Sequence, residues 1–160
     1  MSFPFHDDLI APRLFSPGVV FYTDLVEGPD GSGIEWRENG HSLEEGLDCK
    51  ALAFILLRRA GIPVPPHALF LWTDYDDPAR DFGRYLAESS DLWEDLGPDG
   101  KLADRLGDVV VTSSPDGPHL TTVVDEARRL GATISRGSHG VSVYRVNLYR
   151  GVDAVLRFRR

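Results

Sequence analysis

Cysteine occurs once in this chain of 160 residues, at position 49. A single thiol closes no internal disulfide and builds no multi-cysteine zinc site, so the fold has to stand on its apolar core. Long apolar runs are missing as well. No stretch approaches the roughly 20 residues that cross a bilayer, so no membrane partner is expected. The opening Met-Ser-Phe-Pro-Phe-His-Asp-Asp has neither the basic start nor the apolar stretch of a secretory leader. Basic charge is sparse: 17 Lys and Arg stand against 25 Asp and Glu, for a net charge of −8. The one basic cluster, Arg157, Arg159 and Arg160, alternates with Phe158 in the manner of a strand edge. Phosphate contacts need clustered cations, so a nucleic-acid partner is disfavoured. His6, His41 and His67 fall at no metal-ligand spacing, and Asp74-Tyr-Asp-Asp77 lacks the glycine and distal glutamate of a calcium loop. No metal or cofactor is expected.

What is present is an ordinary globular mixture, 42% apolar and 26% charged, in a length that suits one domain. Residues 1–33 are rich in turn formers and read as a loosely structured lead-in, with a short strand at Gly18–Tyr22, packed on a domain of residues 34–160. Cys49–Ala60 carries the strongest helix signal. Asp48 is a good N-cap, the body Ala51–Leu57 is apolar nearly all round, and Arg58 and Arg59 complement the dipole. Gly61 and Pro63 then stop it. A second helix is expected over Ala79–Trp93. Strands follow at Asp108–Thr112, His119–Val124, Val141–Val146 and Ala154–Phe158, with a helical turn at Asp125–Leu130. One buried helix followed by an antiparallel meander is an α+β pattern.

A thiol nucleophile reacts as the thiolate, which a helix N-terminus stabilises through its dipole and unpaired amides. It also needs an imidazole base, itself oriented by a third polar group. Cys49 opens the best helix in the chain, and His119 is expected to open a strand after the turn Ser114-Pro-Asp-Gly-Pro118. Taken alone, a lone Cys in a buried helix reads as a small hydrophobe and a lone His after a turn as a solvated residue.

Their surroundings carry more. The segment from Trp36 to Asp48-Cys-Lys-Ala-Leu52, the helix end Arg59-Ala-Gly-Ile62 with Pro65 beyond it, and the strand Leu106-Gly-Asp-Val-Val-Val111 followed by His119 resemble, in this order, the NlpC-type cell-wall cysteine peptidases. Val143-Tyr-Arg-Val146 and Val155-Leu-Arg-Phe158 resemble that family's last strands, and the resemblance spans roughly residues 34–158. It implies a papain-like core, a buried nucleophile helix packed on an antiparallel sheet. Cys49 is then the nucleophile, with its own amide helping to hold the oxyanion, and His119 is general base and then acid. Trp36 and Asp48 lie on the substrate side, and a peptidoglycan stem peptide is the partner. Lys50 and Ala51 replace the family's Ser-Gly, and Trp36 stands nearest its missing tyrosine. The third polar residue falls in Ala132–Arg136, which offers Thr133 or Ser135, with His139 a few residues late. The reading leans to Ser135.

Three functions follow as expectations. The first is a peptidoglycan endopeptidase or amidase, synthesised in the cytoplasm and delivered by a phage tail, a secretion apparatus or lysis. The second is another thiol reaction, acyl transfer or deamidation. The third is a catalytically silent domain that binds peptides or fills a place in a larger assembly.

Overall fold

The computed structural model describes residues 5–65, 89–114 and 117–160. The architecture is α+β, with a mostly antiparallel sheet and few helices. Two short helices, α1 (Asp7–Ile10) and α2 (Thr23–Glu27), and two short strands, β1 (Leu14–Ser16) and β2 (Val19–Val20), come first. A small hairpin of β3 (His41–Ser42) and β4 (Gly46–Leu47) leads into α3 (Cys49–Arg59). The remaining strands are β5 (Trp93–Gly97), β6 (Val109–Ser114), β7 (Gly117–Asp125), β8 (Leu130–Thr133), β9 (Ser142–Arg145) and β10 (Val152–Phe158). They build one sheet in the order β1-β2-β7-β6-β10-β5, with β8 and β9 added beside β7.

The sheet is apolar on both faces, so its strands read as nearly continuous Val and Leu runs. On one face Val109, Val111, Leu120, Val124 and Leu156 join the cluster around α3. On the other, Val110, Val123 and Val155 meet Ala103, Val146 and Val152. Helix α3 is buried along its whole body, Cys49 to Leu57, as its all-round apolar sequence requires. Gly107 lets α3 close on the start of β6. Its φ is +82°, and a Cβ there would stand 2.3 Å from Ile62 Cδ1 and 2.9 Å from Leu57 Cδ2.

Four expectations change. The lead-in is built into the fold rather than loosely laid on it. β2 pairs with β7 at Asp125, and Arg59 of α3 donates to Leu9 O at 2.8 Å, to Phe21 O at 3.0 Å and to both Asp24 carboxylate oxygens. The helix expected over Ala79–Trp93 does not reach Trp93, which opens β5, buries its indole and meets Phe158 edge-on at 5.4 Å. Residues 89–92 form a turn, and residues 79–88, with His67 and the Asp74–Asp77 cluster, lie outside the described residues. The turn after Asp125 is a hairpin rather than a helical turn. Asp125 Oδ1 accepts from the Arg128 N–H at 3.0 Å, and Arg129 takes φ +54°, which turns the chain back into β8. Finally, His119 is the third residue of β7 rather than its first, because the β6–β7 ladder runs on to Ser114 and Gly117.

Candidate active site

Asp48 fixes the start of α3. Its backbone is extended, its Oδ1 accepts from the Ala51 N–H at 2.8 Å, and its Oδ2 accepts from the Asn39 N–H at 2.8 Å. One carboxylate thus caps the helix and pins the loop before it. Asp48 is 0% exposed, and burial pushes its carboxyl up from the ordinary range, while the Lys50 ammonium and the two amides pull the other way. Lys50 Nζ stands 3.7 Å from Asp48 Oδ2, with both side chains buried. Asp48, expected on the substrate side, also borders a cavity at the helix start. Its oxygens face backbone amides and a buried ammonium, so it holds the helix start.

Cys49 is the first residue of α3 and is 2% exposed. Beside it, a cavity of about 140 Å³ is bounded by Phe5, Asn39, Gly40, His41, Asp48, Lys50 and Ala51. Trp36 connects this helix start to the far strands. Its backbone bridges Leu47, two residues before Cys49, and the Arg136 guanidinium lies 4.7 Å from the centre of its ring. The lead into the thiol and the exit of β8 therefore meet at one indole, a cation–π contact.

His119 pairs with Thr112 across the ladder. Its Nε2 lies 2.7 Å from Thr133 Oγ1, and the Thr133 hydroxyl donates to Leu120 O at 2.7 Å. A hydroxyl has one proton, and here the Leu120 carbonyl takes it, so Thr133 accepts from the Nε2–H. The neutral ring then carries its lone pair on Nδ1, a tautomer assigned from the hydrogen bonds. Burial holds the His119 imidazole below its ordinary value, so the neutral, basic form prevails at neutral pH.

The hydroxyl that meets the His119 ring is thus that of Thr133 and not, as expected, that of Ser135. β8 ends at Thr133, and the chain then turns. The Ser135 N–H donates to Ser138 Oγ at 3.1 Å, and Ser138 Oγ donates back to Ser135 O at 2.7 Å. Ser135 is exposed and committed to that turn. His139 is also exposed, and it meets the fold through a backbone bridge to Glu35. The structure therefore joins His119 with Thr133 and places Cys49 at the capped helix start. By the alternation of β7, His119 shares its face with Thr121 and Val123, the face turned from α3 and packed on Val110, while Leu120 and Val124 face α3. Sequence reasoning missed the burial of Lys50 and the proximity of Arg136 to Trp36, since both are charges that normally mark a solvated surface. Searches against protein-family models, curated proteins and solved structures found nothing similar to this chain.

Proposed function

We propose that this protein is a cysteine hydrolase with a papain-like core, acting on amide bonds of peptidoglycan stem peptides. The observation that carries the reading is the His119–Thr133 hydrogen bond, which leaves Nδ1 as the basic nitrogen of a half-buried, neutral imidazole. The capped start of α3 supports it, because the dipole and free amides there favour a thiolate. In this mechanism Nδ1 takes the Cys49 proton and the sulfur attacks the amide carbonyl. The C–N bond then breaks as the imidazolium returns the proton to the leaving amine. Water, deprotonated by the same nitrogen, hydrolyses the thioester and frees the thiol.

A second reading has an observation of its own. Cys49 is 2% exposed, and the β7 register puts His119 on the face of the sheet with Val110 and Val123, away from the α3 face of Leu120 and Val124, which favours a silent domain that binds peptide without turnover. Purified peptidoglycan, incubated with the wild-type protein and with Cys49→Ala, separates the two. Hydrolysis releases new amino groups with the first and none with the second. In parallel, the short bifunctional alkylating agent 1,3-dibromoacetone bridges Cys49 to His119 when thiol and ring are neighbours. Turnover by Cys49→Ala would sink the mechanism. A thiol that is alkylated without bridging, together with an undigested wall, would leave the silent reading.

A further inference from the structure

At the other end of α3 from Cys49, a cavity of about 370 Å³ opens beside Ile62, and Leu106 and Phe158 add to its apolar wall. Small-molecule sites span roughly 300–1,000 Å³. The 11 residues of α3 put roughly 15 Å between this end and Cys49, so the cavity is separate from the thiol. Four arginines line it, Arg105, Arg157, Arg159 and Arg160, in a chain whose net charge is −8. Arg157 is consumed by the fold. Its Nε donates to Asp108 Oδ1 at 2.8 Å, and its Nη2 donates to Asp108 Oδ2 at 2.7 Å and Asp104 Oδ1 at 2.8 Å. Asp108 Oδ2 also accepts from the Arg105 N–H at 3.0 Å, so the carboxylate that holds Arg157 fixes the backbone from which Arg105 projects. Arg159 is set by its Nε, which donates to Ser90 O at 3.0 Å and leaves its terminal nitrogens as donors. Among the described residues, the Arg105 guanidinium has no hydrogen-bond or ion-pair partner.

We propose that this cavity binds a small monocarboxylate with an apolar body, its oxygens on the Arg105 and Arg159 guanidiniums and its body against Ile62 and Phe158. The site does not depend on the hydrolase reading. A planar guanidinium fork matches the two oxygens of a carboxylate and is charged at any working pH. The acids in the lining limit what the arginines can hold. Asp108 is balanced by Arg157, while Glu126 Oε1 accepts only from the Leu106 N–H, at 3.0 Å, and Glu94 is exposed on β5. Glu94 and Glu126 border the same space, so they repel a doubly charged phosphate ester more than a carboxylate.

Hexanoate, hexyl phosphate and hexanol carry the same apolar chain under different heads, and each is titrated into isotope-labelled protein followed by amide NMR. Hexanoate is expected to shift the amides of residues 105–108 and 157–160 and to bind at least about tenfold tighter than hexanol. Arg105→Gln and Arg159→Gln should each raise its Kd at least about fivefold, the loss of a charge-assisted hydrogen bond in a solvated cavity. Arg150→Gln removes an exposed arginine outside the lining and should leave the Kd within about twofold. Hexyl phosphate binding more tightly than hexanoate overturns the carboxylate assignment. Hexanoate and hexanol binding alike, or Arg150→Gln losing as much as the other two variants, overturns recognition by these arginines. No amide shift from any of the three at about 10 mM overturns the site altogether, because a charged anchor and an apolar chain together reach a Kd of about 1 mM.

Discussion

The side chain that fixes the imidazole is a threonine, and this has a quantitative consequence. The Thr133 hydroxyl is buried, donates to Leu120 O and accepts from His119, so each of its roles is tied to a named partner. Thr133→Val keeps the shape and the β-branched fit to a strand while removing the acceptor for Nε2–H. On the proposed hydrolase reading the ring then loses its preferred tautomer, and kcat should fall roughly 10- to 100-fold, less than the loss on removing His119 itself. Ser135→Ala and His139→Ala, at exposed positions away from the ring, should leave kcat within about twofold. Initial rates of wall hydrolysis for the three variants check the ranking. A larger loss at Ser135 than at Thr133 would refute the assignment. The sequence narrowed the role to this short stretch but could not choose within it. Thr133 and Ser135 share strand parity, and only the end of β8 between them decides which one reaches the ring.

At the level of elements, what could be read from the sequence follows from how local the determining forces are. α3 was fully legible because its cap, apolar body, terminal cations and glycine stop all lie within one short segment, and the structure keeps each of them. The β6, β7 and β10 strands were legible from their valine runs. β5 was not, because Trp93-Glu-Asp-Leu-Gly97 looks helical alone and becomes a strand by pairing with β10, some sixty residues later in the chain. The hairpin at residues 126–129 hid for a related reason: Arg129 takes the left-handed conformation without being glycine. The cap of α3 can be tested directly. Asp48→Ala removes the acceptor for the Ala51 and Asn39 amides and the carboxylate oxygen 3.7 Å from Lys50 Nζ. Losing a cap costs about 1 kcal/mol, and losing the carboxylate 3.7 Å from a buried ammonium adds to that cost. Asp48→Asn keeps an acceptor for the amides and should fall between the two in urea denaturation. Equal stability of Asp48→Ala and wild type would show that the cap and ion pair contribute nothing net.

Across the whole molecule, the N-terminal segment and the helix that carries Cys49 are fastened by one guanidinium. Arg59 is buried at the end of α3, where it satisfies the Leu9 and Phe21 carbonyls and pairs with both oxygens of Asp24 at 2.7 and 2.8 Å. Burial raises the Asp24 carboxyl, but the Arg59 hydrogen bond and charge outweigh this and hold it below its ordinary value. The fork geometry is what lets one side chain serve α1, the chain before α2 and α2 itself, and lysine could not replace it. Arg59→Met keeps the apolar stem and removes the guanidinium. Two carbonyls and a carboxylate then lose their donors, at a cost of roughly 3–5 kcal/mol. Because β2 pairs with β7 at Asp125, the damage should spread from residues 5–27 into the main sheet rather than stay at the terminus. The double variant Arg59→Met/Asp24→Leu should recover part of the loss, since it removes the orphaned carboxylate while the two carbonyls remain unpaired. Urea denaturation gives the energies, and limited proteolysis reports whether the segment before α3 has come loose. If Arg59→Met lost less than about 1 kcal/mol and stayed protease-resistant there, the N-terminal segment would be held by apolar packing alone, through Phe5, Ile10 and Leu25.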